Sequence, residues 1–111
     1  MVVEINNENF EQEVLKSNKT VLIDFYAEWC GPCQMLSPIV EQVAQENDNI
    51  KVVKVNVDEN QSLAVEFGIK AIPTLIVIKE GKEANRAVGI LSKAELLELV
   101  KETKFERLGC F

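Results

Sequence analysis

Two cysteines, Cys30 and Cys33, stand three residues apart in the segment Trp29-Cys30-Gly31-Pro32-Cys33. Residues at that spacing on a helix have Cβ atoms roughly 5–6 Å apart, and a disulfide needs roughly 3.5–4.5 Å. A modest adjustment of a first helical turn therefore lets the two sulfurs bond and separate reversibly. The chemistry this permits is dithiol–disulfide exchange: a thiolate attacks a substrate disulfide, a mixed disulfide forms, and the second thiol resolves it to release the reduced substrate. Two electrons move without a bound cofactor. Pro32 pre-sets φ for the first helical turn, and Gly31 removes a side chain beside the sulfur, leaving room for a protein disulfide. The competing reading is half of a structural zinc site, but with no histidine and only Cys110 as a further sulfur donor, four good ligands are hard to assemble. No metal and no cofactor are expected.

The elements on either side of the pair give it its reactivity. Thr20 to Ala27 (TVLIDFYA) is nearly continuously apolar and rich in β-branched and aromatic residues, as suits a strand covered on both faces. Cys30 then lies just beyond a central strand and at the start of a helix, where free amides and the helix dipole stabilise an anion and lower the thiol pKa. Cys30 is thus the expected nucleophile and Cys33 the resolving thiol. Asp24, flanked by Ile23 and Phe25, should have its pKa raised by desolvation, so that it can exchange a proton with Cys33 near neutral pH. The plainer reading of Asp24 is a structurally satisfied buried carboxylate. Lys54, on a neighbouring strand, either tempers the Asp24 shift or serves structure alone. Trp29 either covers core or shields the pair and meets partners, and Pro73 on its own can be a simple strand opener.

The rest of the chain alternates in type. Val2 to Ile5 reads as a short strand, and Phe10, Val14 and Leu15 follow at helical spacing, enough for about two turns. Beyond the cysteines, Leu36, Ile39, Val40, Val43 and Ala44 form one helical stripe to about Asn47, with a bend expected near Pro38. Lys51 to Val57 alternates like a strand, Gln61 to Glu66 suits a short helix ended by Gly68, and Thr74 to Lys79 is the next strand. Glu80-Gly81 marks a turn to a partner strand around Arg86 to Val88. Ser92 and Glu95 form a capping-box pattern ahead of a last helix with Leu96, Leu97, Leu99 and Val100 on its apolar face. The order β-α-β-α-β-α-β-β-α predicts an α/β sheet with three parallel strands, helices on both faces and an antiparallel hairpin at one edge.

Length and composition limit the rest. A chain of 111 residues, 47% apolar, without linkers or repeats, is expected to be one domain spanning 1–111, with about 106–111 as a C-terminal tail. The net charge of -6 would repel nucleic acid and anionic lipid. The N-terminal stretch has neither a basic region nor a long apolar run, so neither a signal peptide nor a membrane span is expected there. Three cysteines are too few for a disulfide lattice, which favours a reducing, cytoplasmic compartment and a chemical role for the pair. Cys110 is penultimate, which excludes a prenylation site; a tail thiol is its simplest reading, an intermolecular disulfide the alternative.

The W-C-G-P-C segment, with Asp24 upstream, Lys54 in the next strand and Ile72-Pro73-Thr74 downstream, resembles the thioredoxin family from about residue 5 to about residue 105. The resemblance implies the thioredoxin fold: a five-stranded mixed sheet in the order 1-3-2-4-5 with four helices, and a cis peptide before Pro73. Bare statistics favour trans, since only about 5–6% of X-Pro bonds are cis in folded proteins. The resemblance further implies a monomer that reduces protein disulfides, is itself re-reduced by a thioredoxin reductase, and docks clients on Trp29, Gly31, Pro32, Ile72, Pro73 and Gly89. Gln34 stands where the family often has Lys, Tyr26 where it often has Trp, and Ala71 where it often has Gly; Cys110 lies beyond the usual end. Rival functions are a non-catalytic binding subunit using the same surface, and an oxidase or isomerase with a more oxidising pair.

Overall fold

The computed structural model describes residues 2–101. The tail 106–111 and Cys110 lie outside the described residues. Strand β2 (Thr20–Tyr26) forms the middle of a five-stranded sheet that also contains β1 (Val2–Ile5), β3 (Ile50–Asn56), β4 (Thr74–Lys79) and β5 (Lys82–Val88). The strand order is β1-β3-β2-β4-β5, with β1, β3 and β2 parallel and β4 and β5 antiparallel to their neighbours, as the resemblance implies. A π-helical turn (Glu11–Leu15) and three α-helices, α1 (Gly31–Glu46), α2 (Gln61–Glu66) and α3 (Lys93–Lys101), complete the fold.

The period-2 alternation of β2 divides the core. Val21, Ile23 and Phe25 point to the face covered by the π-helical turn and α2, where Phe10, Val14 and Leu63 pack on them. Leu22 points to the face covered by α1 and α3, where Leu36, Val40, Val43, Leu96 and Val100 meet it. Fully burying a side chain such as Leu36 contributes roughly 1.5–3 kcal/mol. The same alternation puts Asp24 on the α1 side of the sheet, the side that carries Cys33.

Some elements differ in detail from their sequence pattern and others keep to it. The first helix is a single π turn, closed by the Lys16 amide on the Glu11 carbonyl at 3.0 Å. Buried Phe10 and Val14 anchor it, and Phe10 meets Phe67 edge-on with ring centroids 5.6 Å apart. As expected, helix α1 does not stop at Pro38, which lies on its exposed side and removes the amide that would bond the Gln34 carbonyl. Strand β5 begins at Lys82, earlier than Arg86, since Lys82 and Glu83 already pair with Lys79 and Ile78 of β4, with an irregularity at Val77 and Ile78. Glu80 (φ 53°) and Gly81 (φ 78°) both occupy the left-handed region, which a two-residue hairpin turn requires. The capping box is formed: Ser92 Oγ accepts from the Glu95 amide at 3.1 Å and Glu95 Oε1 from the Ser92 amide at 2.8 Å. The Ile72–Pro73 peptide is cis. Among the described residues no helix is long and apolar enough to cross a membrane.

Candidate active site

Cys30 and Cys33 are joined in a disulfide, with Cα atoms 5.3 Å apart. Cys30 is the N-cap of α1: its backbone is extended (φ -89°, ψ 109°), and its Sγ accepts from the Cys33 amide at 3.2 Å. The sulfur thus occupies the place of an N-cap oxygen, against an amide that has no partner within the helix. The Cys30 carbonyl takes the Gln34 amide at 3.2 Å, so the first turn is closed around the pair. Gly31 and Pro32 are exposed, and an added Cβ at Gly31 would meet nothing within 4 Å, so the approach to the sulfurs is open there. Both sulfur residues are otherwise covered, Cys30 4% and Cys33 3% exposed, packed with Ala27, Tyr26, Val57 and Ile72.

Asp24 lies beneath this turn. It is 4% exposed, its Oδ1 has no hydrogen-bond partner, and its pKa is raised to about 7. Loss of hydration is the largest cause; the Lys54 ammonium pulls the value back and the Glu4 carboxylate adds to the rise. A cleft of about 140 Å³ is lined by both Asp24 and Cys33, together with Tyr26, Ala27, Glu28, Gln34, Ser37 and Lys54. The carboxyl and the inner sulfur therefore face one small, partly enclosed space that is large enough for water. Lys54 stands beside Asp24 in the β2–β3 register, and its ammonium is ion-paired to Glu4 Oε1 at 3.7 Å.

The docking residues expected from the sequence gather around the disulfide unequally. Trp29 is 71% exposed, and its Nε1 donates to Asp58 Oδ2 at 2.7 Å, which holds the indole at the surface. The Ile72 carbonyl oxygen is 3.9 Å from Cys30 Sγ, which brings the loop before β4 against the pair. Pro73 itself is buried, and the peptide before it is cis. Its carbonyl accepts from the Gly89 amide at 2.9 Å, linking the loop to the end of β5. Val88 and Ile90, on either side of Gly89, are exposed apolar residues, as is Met35 on α1.

Sequence reasoning missed the parts played by Asp58 and Glu4 and the contacts made by Gln34 and Tyr26. Asp58 carries no local signal; it meets Trp29 because Asn56 Oδ1 accepts from the amides of Asp58 and Glu59 and shapes the turn after β3. Gln34, noted only as a lost charge, donates from Nε2 to the Glu28 carbonyl at 2.8 Å and ties α1 to the loop before it. The Tyr26 hydroxyl donates to both Glu4 oxygens, at 3.1 and 3.0 Å, a contact that only the strand register brings together. Among the described residues no group of three or more Cys, Asp or Glu side chains is placed to hold a metal.

The thioredoxin family model matches residues 1–102. Thioredoxin 1 of Synechococcus elongatus is 48% identical over 93 residues, covering 83% of this chain and 87% of that protein. The thioredoxin of Acidithiobacillus ferridurans is 48% identical over 96 residues, with 86% and 89% covered. The thioredoxin of Rickettsia prowazekii is 40% identical over 104 residues, with 93% and 99% covered. With the sheet order, the cis Pro73 loop and the Cys30–Cys33 disulfide already in place, these matches show that the chain belongs to the thioredoxin family and is a thiol–disulfide oxidoreductase that reduces protein disulfides.

Proposed function

We propose that Cys30 is the nucleophile, Cys33 the resolving thiol and Asp24 the proton acceptor of a reductase cycle. The observation that carries this reading is the position of Cys30 Sγ at the mouth of α1, accepting an amide of the first turn while bonded to Cys33. An amide and dipole that stabilise a thiolate there also make Cys30 the better leaving group. In the forward cycle the Cys30 thiolate attacks one client sulfur, and the other client sulfur leaves and takes up a proton. Cys33 then gives its proton through the shared cleft to the Asp24 carboxylate, and its sulfur attacks Cys30. The first client sulfur leaves as a thiol, and the electron pair has passed from the dithiol to the client. The pKa of about 7 suits Asp24 to this exchange, since the carboxyl is near half-ionised at neutral pH.

The client surface we propose comprises exposed Trp29, Gly31 and Pro32 with the Ile72-Pro73 loop and Gly89, and an extended client segment fits the loop by backbone pairing. The cycle closes through a thioredoxin reductase, and the chain works as a cytoplasmic monomer of one domain, consistent with its acidic composition and sparse cysteines. Cys30→Ser should abolish reduction of a model protein disulfide, and Cys33→Ser should accumulate the mixed disulfide through Cys30. Substantial turnover in Cys30→Ser would refute the assignment of the nucleophile.

A further inference from the structure

Glu4, Lys54 and Asp24 form a row across three strands: Glu4 is paired with Lys54 in the β1–β3 register, and Lys54 with Asp24 in the β3–β2 register. Partners in one row put their side chains on the same face of the sheet. Lys54 is therefore the middle member, with a carboxyl on each side. Its ammonium is engaged with Glu4 at 3.7 Å and lies 5.4 Å from the centre of the Tyr26 ring. Tyr26 in turn donates its hydroxyl to both oxygens of Glu4, at 3.1 and 3.0 Å. Burial and the Glu4 carboxylate together push the Tyr26 phenol up, so it remains a donor throughout the working pH range.

We propose that Glu4 is a positioning residue for the proton-transfer step: held by the Tyr26 hydroxyl, its carboxylate retains the Lys54 ammonium at the rim of the cleft and so limits the pull of that charge on Asp24. This rests on the reading of Asp24 as the proton acceptor. The geometry gives it direction. An ammonium free to turn to Asp24 would stabilise the carboxylate and leave a weaker base for Cys33. The side chains of Lys54 and Glu4 are 36% and 49% exposed, so the pair is accessible to solvent and its strength falls with salt. The other groups facing Asp24 are Glu28 from the loop after β2, Tyr26 from β2, and Cys33, Gln34 and Ser37 from α1, so Lys54 is the single cation lining the cleft among the described residues.

The test is the ionisation midpoint of the Asp24 carboxyl, followed by carbon-13 NMR in the full-length disulfide form, so the reading is independent of catalysis. Glu4→Gln should lower the midpoint by roughly half a pH unit or more, less than the roughly 1–3 units of a close unscreened charge because the pair is partly exposed. Lys54→Met should raise it, and Glu4→Gln placed on Lys54→Met should move it much less than in the native background. An unmoved midpoint in Glu4→Gln overturns the proposal, as does an equal shift with and without Lys54, which would mean plain repulsion between Glu4 and Asp24. Mixed-disulfide resolution by Glu4→Gln should show its acid limb displaced to lower pH by the same amount. If the NMR midpoint moves and this limb does not, the retention of Lys54 stands and the role of Asp24 as proton acceptor fails.

Discussion

A carboxyl whose Oδ1 has no partner is held in the folded chain at Asp24, and its effect on stability depends on pH. The folded pKa is about 7 against an ordinary value of 3.8, so between these values the folded state keeps a proton that the unfolded chain has released. Stability is fully present below about pH 4, falls as pH rises through the window to about 7, and is flat above it, a change on the order of 4 kcal/mol by proton linkage. Asp24→Asn, which cannot ionise, should remove this slope and be the more stable protein at pH 8; urea denaturation at pH 4, 6 and 8 measures it. The same variant should slow resolution of mixed disulfides more than their formation. Equal slowing of both steps would assign Asp24 a general structural role. Burial of Asp24 was legible in TVLIDFYA, because an ionisable residue inside an apolar run has few ways to reach water. The competition for Lys54 was not, since Glu4 lies 50 residues away from it in sequence and only the β1–β3 register unites them.

The strands and helices follow from local pattern wherever the pattern is strong. Thr74–Lys79 and Gln61–Glu66 match their sequence bounds because Pro73 and Gly68 punctuate them, Gly68 at φ 65° just beyond the end of α2. The Ser92–Glu95 capping box is reciprocal, so Ser92→Ala should cost about 1 kcal/mol in thermal or chemical denaturation. No loss would show the box to be redundant. Patterns were weaker at the first helix and at β5. Five residues around Phe10 and Val14 carry too few apolar positions to distinguish a π turn from an α turn, and Lys82–Asn85 look like loop because this edge stretch has no alternation of large apolar residues, even though Asn85 is buried. The cis bond at Ile72–Pro73 was legible only by resemblance, since nothing local in Ala71-Ile72-Pro73-Thr74 selects it.

Taken together, the sheet brings three separate stretches to one end of the molecule: the turn after β2 running into α1, the loop before β4 and the end of β5. The disulfide lies at that end, next to exposed Trp29 in the chain, and exposed Val88 and Ile90 flank Gly89, whose amide is bonded to the Pro73 carbonyl. If the proposed client surface extends over these exposed apolar residues, it matters to a polypeptide client and little to a small disulfide. Ile90→Glu should therefore raise KM several-fold for a protein disulfide and leave reaction with a small aromatic disulfide nearly unchanged; a parallel loss on both substrates would point to damage at the cysteines. The gathering of Trp29 with Asp58, and of Gly89 with Pro73, needed the three-dimensional structure because each joins residues from different elements. The most direct measurement of the mechanism is the pH dependence of alkylation of the reduced chain, read separately at each cysteine by peptide mass spectrometry. Cys30 should react with a midpoint below the value of about 8.5 for an unperturbed thiol, with Cys33 far slower; alkylation of Cys30 only at or above that pH would contradict a thiolate stabilised at the mouth of α1.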